Sequence, residues 1–362
     1  MKRISVQHIG NIVNSNAIII NGNVSVDGQV YKDIQNMFVE ILRKDFERFS
    51  IDAINNTKSE LNEFLGDLLR KLVNEQQMQL IEKFNNPAIQ VFLHDTLIGY
   101  ISNEDNIMKE YIVDILIDRL KVNSNSTEKA ILNEAIKLIP NLNLFTSSLI
   151  VLMNLRHQVV NTPFSFMLDL FFNQLSPFID NSCNINNLDI EYIIQNNCTK
   201  TISGIYLIDT YENHLLKQYD LYFRKKIGQE DFDSFRTIHP EIMHKVNDDG
   251  TCMFIFDKKN WMFSDVNTTL FYKRLKARKQ EYLIPLVEEL KKFMPLLTEK
   301  EVREYLCSIN QNWLYACEFL NSPALKTVDL NILGGYTANK IISKYTNMTS
   351  LPISSLSNPI SL

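Results

Sequence analysis

The chain carries two hydrophobic periods. Over Ile4–Gln29 the apolar residues come in short runs broken by Asn and Gly, as in "AIII", then Asn21-Gly22, then "VSV". Asn-Gly is a strong hairpin signal, because a type I′ turn needs φ > 0 at both central residues. Gly10-Asn11 and Asn14–Asn16 add two further turn sites. Residues 4–27 therefore predict three or four strands of roughly three to five residues each. From Tyr31 the period lengthens. Ile34, Phe38, Ile41, Leu42, Phe46 and Phe49 recur at helical spacing with charged residues between them. Further helices are predicted over Lys58–Phe84, Ala88–Ser102, Ile107–Val122, Thr127–Ile139, Asn143–Val160 and Pro163–Phe178. Their links are short and polar, which predicts an antiparallel helical array. "YIVDILIDRL", Tyr111–Leu120, is apolar almost all round and reads as the central helix of that array.

The polar stretch "DNSCNINN", Asp180–Asn187, marks a boundary. Beyond it the pattern is mixed. "LDIEYIIQNN" reads as helix, and "KTISGIYLIDTYENHLLKQYD" fits strand and helix alike. A hairpin is expected at "KVNDDGTCMFIFDKK", turning at Asp248-Asp249-Gly250 into an apolar strand, Cys252–Phe256, with Asp257–Asn260 a natural next turn. Helix resumes over Val266–Phe293. A capping box, Thr298 with Glu301, then opens another helix. The fold class predicted is mainly α, with an N-terminal β ribbon, an antiparallel helical array and a smaller α+β region in the C-terminal half. The segments are residues 1–28 (β-ribbon assembly segment), 29–180 (helical domain), 188–345 (α+β domain) and 346–362 (loosely ordered tail).

Composition narrows the class. The chain is 45% hydrophobic and 10% aromatic, as a folded protein of this length requires. The formal net charge of −5 does not advertise a nucleic-acid or membrane binder. Five cysteines, none in C-x-x-C spacing, fit a reducing cytoplasm rather than a disulfide framework. The longest apolar run, Ser147–Leu155, is far too short to span a bilayer. The expected location is the cytoplasm.

Candidate chemistry is sparse. The histidines of "HPEIMH", His239 and His244, stand five apart. On a helix that spacing separates them by about 140°, against the i, i+4 pairing of a helical zinc site. No metal and no cofactor is assigned. Asp249, an apolar strand, then Asp257 and Lys259 have the outline of a Mg²⁺-dependent nuclease, in which carboxylates hold the ion and a lysine positions water. The competing reading makes both acids turn residues. Lys273, Arg274, Lys276, Arg278 and Lys279 form the densest basic run, with "FRKK" (Phe223–Lys226) and Lys291-Lys292 as possible company. Such a run is usually a solvated helix face; the alternative is nucleic-acid binding by charge, without sequence readout. No phosphate-cradling or nucleophile-elbow motif occurs.

A short ribbon cannot bury itself in water. Ile18, Ile20, Val24 and Val26 need cover, either from the chain's own helices or from a second copy. The second predicts a homo-oligomer built through the ribbon.

"NSNAIIINGNVSV", "FNNPAIQVFLHDTLIGYISNED", "YIVDILIDRL", "AILNEAIKLIPNLN" and "SLIVLMNLRH" occur in that order. Together they resemble an uncharacterised bacterial helical family with a β-rich N-terminus, chiefly over residues 11–160. "VDLNILGGYTANKI" is a loose match to the family's L-T-x-x-G segment, with Asn331 where Ser or Thr is commoner. The resemblance implies a soluble bacterial protein associated with defence against phage or mobile elements, with a protein partner encoded nearby. It brings no catalytic residues. The expected function is thus a non-enzymatic, self-assembling sensor, scaffold or effector. The alternatives are a Mg²⁺-dependent nuclease and a sequence-independent nucleic-acid-binding module.

Overall fold

The computed structural model describes residues 17–20, 24–43, 51–103, 105–122, 127–156, 165–201, 209–240, 254–257 and 260–346. They are mainly helical, with a few short strands. They divide into two compact units, one up to Leu142 and one from Asn143 onward. No helix among them is long and apolar enough to cross a membrane.

The first unit opens on a two-stranded antiparallel hairpin, β1 (Ala17–Ile20) and β2 (Val24–Asp27). The other strands expected over residues 4–16 lie outside the described residues. Asp27 ends β2 and caps α1 (Gly28–Ile41), its Oδ1 accepting from the N–H of Gln29 at 2.7 Å. Next come α2 (Ile51–Asn74), α3 (Pro87–Ile101), α4 (Asn106–Lys121) and α5 (Thr127–Leu138). Each packs on its neighbour in sequence, and α4 touches α2, α3 and α5. Tyr111, Ile112, Ile115, Leu116 and Leu120 are accordingly fully buried, as expected of a central helix.

The helix predicted over Lys58–Phe84 is broken. α2 stops at Asn74, Gln76 takes φ 56°, and a 3-10 turn runs over Met78–Asn85. The N–H of Gln77 bonds the carbonyl of Leu72 at 2.7 Å, and that of Gln76 bonds Val73 at 3.0 Å. This is a Schellman ending without glycine, invisible to a search for Gly or Pro. The reversal brings Phe84 onto Phe38, with ring centroids 6.0 Å apart.

In the second unit α6 (Leu144–Asn154) is buried from Thr146 to Asn154. α7 (Ser165–Gln174) and α8 (Ser176–Ile179) replace the single helix predicted there; Pro177 sits in the first turn of α8. The polar stretch at residues 180–187 lies inside this unit, as a 3-10 turn leading to the Asn186 cap of α9 (Asn187–Gln195). Then follow β3 (Thr199–Thr201), α10 (Tyr211–Gln218), β4 (Ile227–Gly228) and α11 (Gln229–Ile238). The ambiguous segment after Asn197 therefore holds both a strand and a helix.

β5 (Phe254–Asp257) matches the predicted apolar strand and pairs forward with β6 (Asn260–Phe263), Asp257 opposite Asn260. The turn proposed at Asp248–Gly250 lies outside the described residues. β6 also pairs with β4, giving the order β4-β6-β5. Helix α12 (Thr268–Ala277), a 3-10 turn (Glu281–Leu283) and α13 (Ile284–Phe293) occupy the stretch predicted as one helix. Phe232, Phe263, Phe271, Leu275, Val287 and Leu290 build a separate small core there. The capping box of Thr298 and Glu301 opens α14 (Glu299–Ile309), and α15 (Trp313–Leu320) follows.

β7 (Val328–Leu330) pairs antiparallel with β3 and leads into α16 (Ile332–Thr346), which packs along α6. Asn331 caps α16: its Oδ1 accepts from Gly334 N–H at 3.0 Å, and its Nδ2 donates to the carbonyl of Asn197 at 2.5 Å. A Ser or Thr there would supply the cap but not the second bond. A Cβ on Gly334 would stand 2.2 Å from the carbonyl oxygen of Cys198; one on Gly335 would meet nothing within 4 Å. Adjacent substitutions should therefore act in opposite senses. Gly334→Ala should destabilise by about 3 kcal/mol through overpacking, and Gly335→Ala should stabilise by about 0.5 kcal/mol through chain entropy. Urea denaturation of the two variants reads both signs.

Candidate functional site

The described residues include some of the sequence-derived candidates and leave others out. Asp249 and Lys259 lie outside the described residues. Asp257 is described in its backbone only, as the last residue of β5. Ile18, Ile20, Val24 and Val26 are likewise placed by backbone: the register sets Ile18 across from Val26 and Ile20 across from Val24. His239 ends α11, its Nε2 3.6 Å from Glu289, and its ring lies 4.7 Å from that of Phe235. His244 lies outside the described residues. Among the described residues no group of three or more His, Cys, Asp or Glu is placed to hold a metal ion.

The basic run divides into two roles. Arg274 turns inward and ion-pairs with Asp265, whose side chain is buried. Lys273, Lys276 and Lys279 are exposed. Of "FRKK", Phe223 and Arg224 are buried, and Arg224 donates to the carbonyls of Lys291 and Met294, both at 2.8 Å. That arginine closes the C-terminus of α13. Lys225 pairs with Glu301 at 3.2 Å.

A buried polar grouping in the second unit carries no mark in the sequence. Glu212, on α10, is fully buried. Arg303 of α14 bonds its Oε1 at 2.5 Å, and Asn321 donates to Oε2 at 2.8 Å. The Oδ1 of Asn321 in turn accepts the N–H of Tyr211 at 2.7 Å. Burial opposes the charge on Arg303, yet the hydrogen bond and charge of Glu212 outweigh it and raise its pKa. Beside this pair the thiol of Cys317 is pushed well up, first by burial and then by the charge of Glu212. A thiol so placed is protonated and a poor nucleophile.

On another face of α14, the hydroxyls of Tyr222 and Tyr305 both reach Oδ1 of Asp169 and also bond each other. Burial, then Tyr305 and Asp169, push the Tyr222 hydroxyl far above its ordinary range. Rings join the two groups: Phe223 lies 5.8 Å from Tyr305, Phe172 6.5 Å from Phe223 and 5.8 Å from Trp313, and Trp313 stacks on Tyr211 at 6.2 Å. The Tyr222 hydroxyl and the Cys317 thiol hold their protons. Hydrogen bonds and ring contacts of the cluster tie α7, α10, α14 and α15 together. Single glutamates and tyrosines in amphipathic helices carry no sequence mark of such partners, and only the meeting of α14 with α10 and α7 creates them.

A smaller polar seam runs through the first unit. Asp67 accepts from Arg70 at 2.7 Å and from the Tyr100 hydroxyl at 3.1 Å, and Lys71 bonds Asp114 at 2.5 Å. Lys109 pairs with Glu60 and sits 5.0 Å from the centre of the Tyr100 ring. Burial outweighs Arg70 and raises the pKa of Asp67. A raised native pKa means the folded state holds the proton longer than the unfolded one. Stability from this group is present below its unfolded pKa and lost as pH rises through the native value.

Two outcomes are expected. Asp67→Asn should gain on the wild type as pH rises from 4 to 7, by up to about 1 kcal/mol, in urea melts at each pH. Arg303→Met should cost about 3 kcal/mol by leaving Glu212 buried and unpaired. Adding Glu212→Leu should restore much of that loss, as a double-mutant cycle would read.

No curated protein matches the chain, and no solved structure matches it. A family model does, over residues 28–355, which is most of the sequence. The chain belongs to that family, an uncharacterised one.

Proposed function

We propose that the protein works by self-association and partner binding rather than by chemistry of its own, as a cytoplasmic sensor, scaffold or effector in a bacterial stress or anti-phage response. The register of the N-terminal hairpin carries the reading. It places Ile18 across from Val26 and Ile20 across from Val24, so the four residues expected at the contact form two directly opposed pairs. β1 and β2 form a two-stranded sheet, so each strand has an outer edge with no partner strand among the described residues, while the hairpin also touches α1 and α2. A hairpin of two four-residue strands is marginal in water, and an open edge is a template for another strand. The interior carboxylates favour the same reading: Glu212, Asp169 and Asp265 are each held by a neighbouring side chain within the fold. The tie to stress or defence rests on the family resemblance. A product of a neighbouring gene is the expected partner.

The full chain should behave as a discrete oligomer in light scattering after size exclusion. Deleting residues 1–28 should leave a folded monomer. A full chain that is monomeric at tens of micromolar would remove the proposal.

A further inference from the structure

We propose that the corner where α12 runs into the 3-10 turn at Glu281–Leu283 binds single-stranded nucleic acid, with Lys273, Lys276 and Lys279 on the phosphates and Tyr282 stacking on a base.

Of the five cations in the run, Arg274 is committed to Asp265, Arg278 is half-buried, and Lys273, Lys276 and Lys279 face solvent. Each of these lysines is exposed and makes no ion pair among the described residues. Lys273 and Lys276 are one turn apart on α12, and so share a side of it. Lys279 follows at once, brought back by the helix ending: its N–H bonds the carbonyl of Lys276 at 3.0 Å, and that of Gln280 bonds Leu275 at 2.9 Å. Lys279 takes φ 58° there. The N–H of Leu283 bonds the carbonyl of Gln280 at 3.0 Å, which sets Tyr282 in the next turn. Its side chain is 70% exposed, although tyrosine usually buries its ring. Glu281 shares the corner and subtracts one charge from those of the lysines.

Free lysines beside an exposed ring are what a sequence-tolerant single-strand binder requires. The lysines release counterions from the backbone, and the ring offers a face to any base. An anionic membrane would meet the same lysines, and binding to vesicles against binding to the oligonucleotide separates the two.

The helix ending supplies a clean probe. Left-handed φ is strained for lysine and free for glycine, so Lys279→Gly removes the charge without a cost in fold. It should raise Tm by about 2 °C. Binding of the full chain to a fluorescein-labelled oligothymidylate of about 15 nucleotides is followed by anisotropy across salt. Three phosphate contacts predict a slope of log affinity against log salt near −2, about a 20-fold loss from 50 to 200 mM. Lys279→Gly should weaken binding and flatten the slope by about 0.7. Tyr282→Leu should weaken it about tenfold with the slope unchanged. Lys276→Gln, on the exposed side of α12, is the second charge variant and should repeat the change in slope. The inference is overturned by no binding at 50 mM salt, by variants that bind like the wild type, by equal affinity for a duplex of the same length, or by capture on phosphatidylserine vesicles without binding to the oligonucleotide.

Discussion

The seating of α16 is the contact on which the second unit depends. The helix runs beside the fully buried face of α6, and its first turn lies against the backbone at Cys198. Two side chains make that approach possible. Gly334 has no Cβ to meet the Cys198 carbonyl, and Asn331 both caps the helix and ties it to Asn197. The carbonyl is aimed there because Asn197 takes φ 55°, ending α9 in a left-handed turn that Asn tolerates. The same turn buries Cys198, whose thiol burial pushes up to about 12. The pairing of β3 with β7 closes the loop by joining the chain just after the turn to the chain just before the helix. The L-N-x-x-G segment is thus a capping and packing device.

Polar groups in the interior serve the same end. Asp220 accepts the N–H of Thr268 at 2.8 Å and so helps cap α12, Arg224 satisfies the last carbonyls around α13, and Thr298 with Glu301 opens α14. Each satisfies a helix terminus that would otherwise be left without partners. Glu212 and Asp169 fix how helices meet, through charge-assisted bonds that tolerate little displacement. What stays available at the surface is different in kind: lysines beside Tyr282, and the open edges of a short hairpin. Both suit association with an extended partner.

The sequence by itself determined the helical character, the central helix Tyr111–Leu120 and the capping box at Thr298, because each is written in local periodicity or in one cap residue. It also marked the lysine run, since charge density needs no partner to be read. It missed the breaks at Gln76 and at Lys279, where helices end without Gly or Pro because the chain must turn back onto a core. Only the tertiary structure decided which charges are spent and which are free. Arg274 and Lys273 are neighbours in sequence, yet one side of α12 faces Asp265 and the other faces solvent. It alone assembled Glu212 with Arg303, 91 residues apart, and Asp169 with Tyr305, 136 apart, because a hydrogen bond depends on distance in space and leaves no period along the chain.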